Sequence, residues 1–484
     1  MQNTSSMTTA APTSLDDNSV NNMLLHDSAN IEELFRQLSS IAANYLTNIH
    51  EHPTSLKEVP PISLSLPENG PGAAEATQLF LQQIKPLLLA ASGPRYFGFV
   101  TGGGTPAAIA GDWLTAVFDQ NTQYTHGKGD ASAAVEQQTI QMLLDLFGLP
   151  QHFNGGFVTG ATLSNFTSLA VARQWIGHQY QKDIAREGLQ LPVKVYAAVP
   201  HSSSLKALAM LGIGSSQVQL VPTLPDREAI DMNALESLLT SAPEEPFILI
   251  SSGGTVNTVD YDDLAAIVRL KEKYRFWWHI DAAFGGFAAL SPQYRHLLEG
   301  WQGADSITVD CHKWLNVPYD SALYFTRKEH ALLQTQTFQN SNAPYLGDPM
   351  ENFSYGNFGP ENSRRFRALP VWFTLMAYGK QGYQQIVETN IAQARQLGKA
   401  LVASGCYKLL APVRLNVVCF TTSEEKGRNE KLKQILEKLY AGGKVFVTPT
   451  VYKGTPGLRA ALVNWRTTEK DIQIAVDELV RACS

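Results

Sequence analysis

Two residues of this chain could share one piece of chemistry. Lys313 stands in the run Asp310-Cys311-His312-Lys313-Trp314, just past a strand-like stretch. Asp281 closes the earlier run Trp277-Trp278-His279-Ile280-Asp281 and is followed by Ala282 and Ala283. A lysine amine condenses with an aldehyde to a Schiff base, and a carboxylate can hold a ring nitrogen protonated. A cofactor that is both an aldehyde and a pyridine, pyridoxal 5′-phosphate (PLP), uses the two together. Lysine and aspartate are common, and either could equally be an ordinary surface charge. The elements that present them must decide.

From about residue 105 to 330, helical stretches alternate with short β-branched or aromatic runs. These are Phe157-Val158, Val193 to Val199, Phe247 to Ile250, Phe276 to Ile280 and Ser306 to Val309. The alternation predicts an α/β domain with a largely parallel central sheet and helices on both faces. After Arg367 the spacing predicts a long helix, Leu369 to about Leu401. Strands at Val417–Thr421, Val445–Thr448 and Leu458–Val463 and a closing helix from Glu469 follow, which together read as a small α+β C-terminal domain. Upstream, apolar residues at helical spacing mark Ile31 to His50 and Ala73 to Ala91, joined by a Pro-rich connector. The division read from these patterns is a disordered tail over 1–30 and a helical segment over 31–95. A large domain over 96–367 and the C-terminal domain over 368–484 complete it. The helical segment is small for a domain and would pack on its own chain or on a partner subunit.

Composition narrows the function classes. The chain has 484 residues, 44% apolar and 17% charged, with a net charge of −6, as ordinary soluble proteins do. No basic excess points to nucleic acid, and no apolar run reaches the roughly 18 residues of a membrane span. Met1 to Asn30 contains no Lys or Arg and so lacks the marks of a signal or transit peptide. Cys311, Cys406, Cys419 and Cys483 are scattered without a CxxC pair. That pattern argues against a zinc site or disulfide framework and suits a reducing cytoplasm.

Ligands of open α/β sheets bind beyond the carboxyl ends of the strands, and chemically useful residues follow five of the runs. Thr159-Gly160-Ala161-Thr162 opens a helix whose free N–H groups could hold a phosphate, or could simply be capped. His201-Ser202-Ser203-Ser204 offers an imidazole that could stack on a ring, donate to a carboxylate or move a proton. Ser251-Ser252-Gly253-Gly254-Thr255 offers close backbone approach and a hydroxyl. Asp281 needs a partner if buried, and a protonated pyridine nitrogen is a suitable one. His312 and Lys313 complete the set.

This order resembles the fold-type-I PLP enzymes, and more narrowly the group II amino-acid decarboxylases of aromatic amino acids, glutamate and cysteine sulfinate. The likeness is carried by His279-Ile280-Asp281-Ala282-Ala283-Phe284-Gly285-Gly286 and His312-Lys313-Trp314-Leu315. It continues through Ser363-Arg364-Arg365-Phe366-Arg367-Ala368-Leu369 with Trp372. The resemblance implies that Lys313 carries the cofactor and that Asp281, with Ala283 beside it, meets the ring nitrogen. It implies that His201 stacks on the ring and that Ala161, Thr162 and His312 hold the phosphate, with Thr255 nearby. It also implies that Tyr345, on a mobile loop with Gly347, returns a proton to the substrate carbon after CO2 leaves. Arg459 or His201 would orient the substrate carboxylate, or serve the structure only.

The reaction so implied is decarboxylation of an L-amino acid by a homodimer with sites at the subunit interface. Aldehyde-forming oxidative decarboxylation, transamination and a non-catalytic role on the same scaffold are the alternatives. Gly102-Gly103-Gly104-Thr105-Pro106 and Tyr124 to Asp130 depart from the family's more apolar substrate pocket. Aromatic, aliphatic and, through His126 or Lys128, acidic substrates therefore stay open. The same Gly102–Ala107 run loosely fits a dinucleotide motif, but no clear strand precedes it and Pro106 interrupts it.

Overall fold

A computed structural model describes residues 20–123, 130–339 and 353–484. The chain divides into two compact units, Met1–Ala90 and Ala91–Ser484.

In the first unit, helices Val20–Ala29 and Ile31–Thr47 precede the Pro-rich connector. The first of them lies inside the stretch whose composition suggested a tail. The Ile31–Thr47 helix is amphipathic yet buries none of its residues; Ile31, Phe35 and Leu38 are 45%, 48% and 37% exposed. The following helix is Ala73–Leu79, which widens over Phe80–Ile84 and tightens over Lys85–Leu87. Pro86 accounts for the change, because it has no N–H to continue the α-helical ladder.

The second unit is built on a seven-stranded sheet. Its strands are β1 (Phe153–Val158), β2 (Val195–Ala197), β3 (Val218–Leu220), β4 (Phe247–Ser252), β5 (Phe276–Asp281), β6 (Ser306–Asp310) and β7 (Ala322–Arg327). Their spatial order is β1-β7-β6-β5-β4-β2-β3. β7 pairs antiparallel with both neighbours, and every other pairing is parallel. Parallel strands are covered on both faces, which is why β4 and β5 are nearly continuous apolar runs. Trp277 and Trp278 point to opposite faces of β5, and both are buried. Their indole N–H groups donate to Ser306 Oγ at 2.9 Å and Ser251 Oγ at 2.8 Å, so neither polar edge is left unpaired.

β3 and β7 are additions to the strands read from the sequence, and β1 starts four residues earlier than its apolar pair. Gly155 and Gly156 disguise β1. A Cβ on Gly155 would stand 2.7 Å from Tyr324 O of the neighbouring strand, so glycine is what close approach to β7 demands here. The long helix is Ala368–Ala403, interrupted at Gly379, where φ is +58°.

A second sheet, β8 (Tyr407–Leu409), β9 (Val417–Thr422), β10 (Thr448–Tyr452) and β11 (Thr455–Ala461), has the order β10-β11-β9-β8 and is antiparallel throughout. The reading of Val445–Thr448 as a strand is corrected. Phe446 exchanges backbone hydrogen bonds with Arg95 and Phe97, at 3.1 and 2.9 Å, and the strand begins only at Thr448. The helix Glu469–Cys483 is held at its start by a reciprocal cap between Thr468 and Asp471. No helix among the described residues is long and apolar enough to cross a membrane.

Candidate active site

Asp281 is the last residue of β5, level with Ser252 of β4 and Thr308 of β6. Its Oδ2 accepts from Asn165 Nδ2 at 3.2 Å and from Ser204 Oγ at 3.3 Å, and its Oδ1 accepts from the Ala283 N–H at 3.3 Å. Burial alone would push this carboxyl up. Its electrostatic interactions with His201, Lys313 and His279, and the Asn165 hydrogen bond, outweigh it and hold Asp281 below the usual carboxylate range. The site therefore presents a fixed anion at the end of its central strand.

Lys313 lies in the turn after β6. Its Nζ is 2.7 Å from Asp310 Oδ2 and 5.7 Å from the centre of the Phe284 ring. The turn is shaped by Ser321 O, which accepts from the backbone N–H groups of Cys311 and His312, each at 3.1 Å. It is backed by the triple glycine: Gly102 N–H donates to His312 O at 3.1 Å, and Thr105 N–H donates to Asn316 O at 2.8 Å. A Cβ on Gly102 would fall 1.8 Å from Lys313 O. The Gly102–Thr105 run is thus the floor under the lysine turn and opens the helix Pro106–Phe118 with Thr105 as its cap. No strand among the described residues precedes it, so the dinucleotide reading finds no support there.

At the carboxyl end of β1, Gly160 caps the helix Ala161–Gln179, and its carbonyl accepts from Leu163 and Ser164 at 2.9 and 3.0 Å. The N–H groups of Ala161 and Thr162 precede these first intrahelical bonds and lie at the positive end of the helix dipole. His312 stands beside this end, with its Cε1 3.9 Å from where a Cβ on Gly160 would be. Its Nδ1–H donates to Ser321 O at 2.9 Å, and its ring stacks on Tyr319 with centroids 4.4 Å apart. Burial lowers its pKa.

His201 caps the helix Ser202–Met210 with its own side chain, Nδ1 accepting from Ser203 N–H at 3.2 Å. That assigns the proton of the neutral ring to Nε2. Burial is the main reason its pKa falls, helped by Lys313 and Arg459 and opposed by Asp281 and Asp310. Ser203 and Ser204 serve Asp281: Ser204 donates to it, and Ser203 Oγ accepts from Asn165 at 3.0 Å.

Thr255 is different. Its hydroxyl donates to Glu228 Oε2 at 2.5 Å and accepts from Asp260 N–H at 2.9 Å, bonds that close the turn after β4. Arg459, on β11, crosses to the same turn and donates to Val256 O at 3.2 Å. Tyr345 and Gly347, with His126 and Lys128, lie outside the described residues. The group with metal-ligand potential among the described residues, Asp305, Glu329 and His330, lies at the opposite end of the sheet, where Lys271 already pairs with Asp305.

The geometry brings Ala161, Thr162, His201, Asp281, Ala283, His312 and Lys313 to one sheet edge. Asn165, Ser204 and Asp310 join them without having been assigned roles from sequence. Asn165 lies in the helix that opens after β1, and Asp310 is the last residue of β6, three residues before the lysine. The set fits PLP: an amine for the aldehyde, an anchored anion for the ring nitrogen, and a helix N-terminus with an imidazole for the phosphate.

The fold and the site define a PLP-dependent enzyme of fold type I. The pyridoxal-dependent decarboxylase conserved domain matches residues 60–423. The chain belongs to that family, and its reaction is the carboxy-lyase one, an L-amino acid to an amine and CO2 with PLP as cofactor. It is 28% identical over 421 residues to an aromatic-L-amino-acid decarboxylase of Bacillus atrophaeus, covering 84% of this chain and 85% of that one. It is 26% identical over 460 residues to a phenylacetaldehyde synthase of a Rosa hybrid cultivar, covering 89% of each. Its fold matches Oryza sativa TDC with PLP and tryptamine at a TM-score of 0.85 and 22% identity, over 98% of this chain and 99% of that one. Mouse CSAD matches at 0.84 and 21% identity, over 94% and 99%.

Proposed function

We propose that this enzyme acts on an L-amino acid with an aromatic side chain, as a cytoplasmic homodimer. The observation that carries the site assignment is the joining of Asp281, Lys313 and the Ala161–Gln179 helix start at one sheet edge. The aromatic preference is supported by relatives named for aromatic substrates, and the homodimer by uncovered apolar surface. On the Pro106–Phe118 helix, Trp113, Val117 and Phe118 are 47%, 56% and 59% exposed. Within the first unit, the open stripe of the Ile31–Thr47 helix is of the same kind.

Bound PLP supplies an electron sink for the pair left on the substrate's Cα when CO2 departs. The chain's residues do the rest. Lys313 would offer the amine, and Asp281 would hold a proton on the ring nitrogen. The Ala161 and Thr162 N–H groups, with His312, would hold the phosphate. Neutral His201 would stack on the ring with its Nε2–H available, and Arg459 or His201 would orient the substrate carboxylate. Tyr345 returns the proton to Cα. Thr255 supports this site through the turn it closes.

A second reading is aldehyde formation, favoured by the phenylacetaldehyde synthases among the relatives. Tyr345, rather than phenylalanine, supports simple decarboxylation through the family likeness. The test is to supply the loaded protein with phenylalanine, tyrosine, tryptophan, glutamate and cysteine sulfinate in an oxygen-electrode cell. Amine and CO2 from an aromatic substrate, without oxygen uptake, are expected. Aldehyde, ammonia and peroxide would select the second reading, and turnover of the acidic substrates alone would remove the aromatic assignment. Sedimentation at equilibrium checks the dimer.

A further inference from the structure

His279 lies two residues before Asp281 on β5 and is wholly buried, with no access to ligand. Its two ring nitrogens are nonetheless both engaged. Trp277 Nε1–H donates to Ser306 Oγ at 2.9 Å, which leaves the Ser306 hydroxyl hydrogen for His279 Nδ1, also at 2.9 Å. His279 Nε2 lies 2.9 Å from Asn165 Oδ1. The amide nitrogen of Asn165 faces the other way, 3.0 and 3.1 Å from the Ser203 and Ser204 hydroxyls and 3.2 Å from Asp281 Oδ2. An Asn oxygen only accepts, so Nε2 must carry the proton. Burial supports a neutral ring by pushing its pKa down, against the upward pull of Asp281.

We propose that His279 is a positioning residue for the cofactor's ring nitrogen: its Nε2–H fixes the facing of the Asn165 amide, which in turn holds the Asp281 carboxylate in place. Without that donor, the Asn165 amide can turn its oxygen toward Asp281. Two acceptors then oppose each other and the carboxylate leaves its position. The chain Trp277, Ser306, His279, Asn165, Asp281 runs from the buried core to the carboxylate at the end of β5, and each link has one donor and one acceptor. The inference rests on the reading that Asp281 meets the ring nitrogen.

The test uses binding rather than turnover. Dissociation constants are measured by fluorescence quenching for PLP and for an analogue with C–H in place of the ring nitrogen. The ratio of the two reports the Asp281 contact alone. His279→Phe is expected to shrink the ratio roughly tenfold, the worth of one hydrogen bond to a charged group. His279→Gln, which keeps a donor of similar reach, is expected to restore most of it. If His279→Phe, folded by circular dichroism, weakens both ligands equally, the residue is merely structural and the proposal is overturned. Should His279→Phe not fold, Asn165→Leu carries the test with the same expectation, and an unchanged ratio there overturns it equally. Asp281→Ala is measured alongside; if it too keeps the full ratio, the ring-nitrogen assignment itself falls and this inference with it.

Discussion

Lys313 Nζ lies 2.7 Å from Asp310 Oδ2, and the other oxygen of this buried carboxylate has no hydrogen-bond partner among the described residues. The lysine ammonium is therefore the main compensation for a charge enclosed at the end of β6. Removing it should cost the cofactor-free protein about 3 kcal/mol, as loss of one member of a buried ion pair does. Urea unfolding of Lys313→Ala, Asp310→Asn and the double variant should show the double variant more stable than Lys313→Ala alone. Additive losses would mean that the two side chains do not depend on each other.

Asp281→Ala removes the anion that would hold the ring proton. A fall in kcat of roughly 10²–10³-fold is expected, the range for loss of one preorganised electrostatic partner. Steady-state CO2 release measures it, with the fold checked by circular dichroism.

Gly102→Ala sets a methyl group where Lys313 O stands 1.8 Å away. The lysine turn or the glycine run must shift, at a cost of about 1–3 kcal/mol for overpacking. A lower Tm with weaker PLP binding is expected. Gly148→Ala is the comparison: its φ of +66° brings backbone strain, but no atom lies within 4 Å of its Cβ position, and PLP binding should not change.

Burial lowers the pKa of His201, His279 and His312 below the ordinary histidine value of about 6.5. Below that pH the unfolded chain binds protons at these positions before the folded one does, so stability falls as the pH drops from about 6.5 toward the folded pKa values. Each histidine contributes a slope of up to about 1.4 kcal/mol per pH unit in that window. Urea midpoints of the cofactor-free protein between pH 7.5 and 5 measure the slope. His279→Gln should flatten it, and an unchanged slope would place the effect elsewhere.

Much of the site was legible before the fold. Strand-end residues in a parallel sheet converge because the side-chain run stops where the loop begins, so Asp281, His201, His312 and Lys313 could be gathered from local pattern alone. Thr255 shows the limit of that reasoning. Its place after β4 suggested a cofactor contact, but the direction of its hydroxyl depends on Glu228, which comes from a distant loop. The arginine run carrying the family likeness behaves similarly. Arg364 is buried against Glu136, and Glu136 also accepts from Phe157 N–H at 2.9 Å, just ahead of the phosphate turn.

By itself the sequence pointed to the cofactor chemistry, through the set of strand-end residues and the family likeness they carry, and to the layered α/β class, through its alternation of runs. Periodicity and residue type are local properties, readable without partners. Tertiary structure alone decided which polar atoms face the ligand and which face each other. Asn165, Ser204, His279 and Asp310 come from four elements, and their hydrogen-bond directions exist only once those elements are packed.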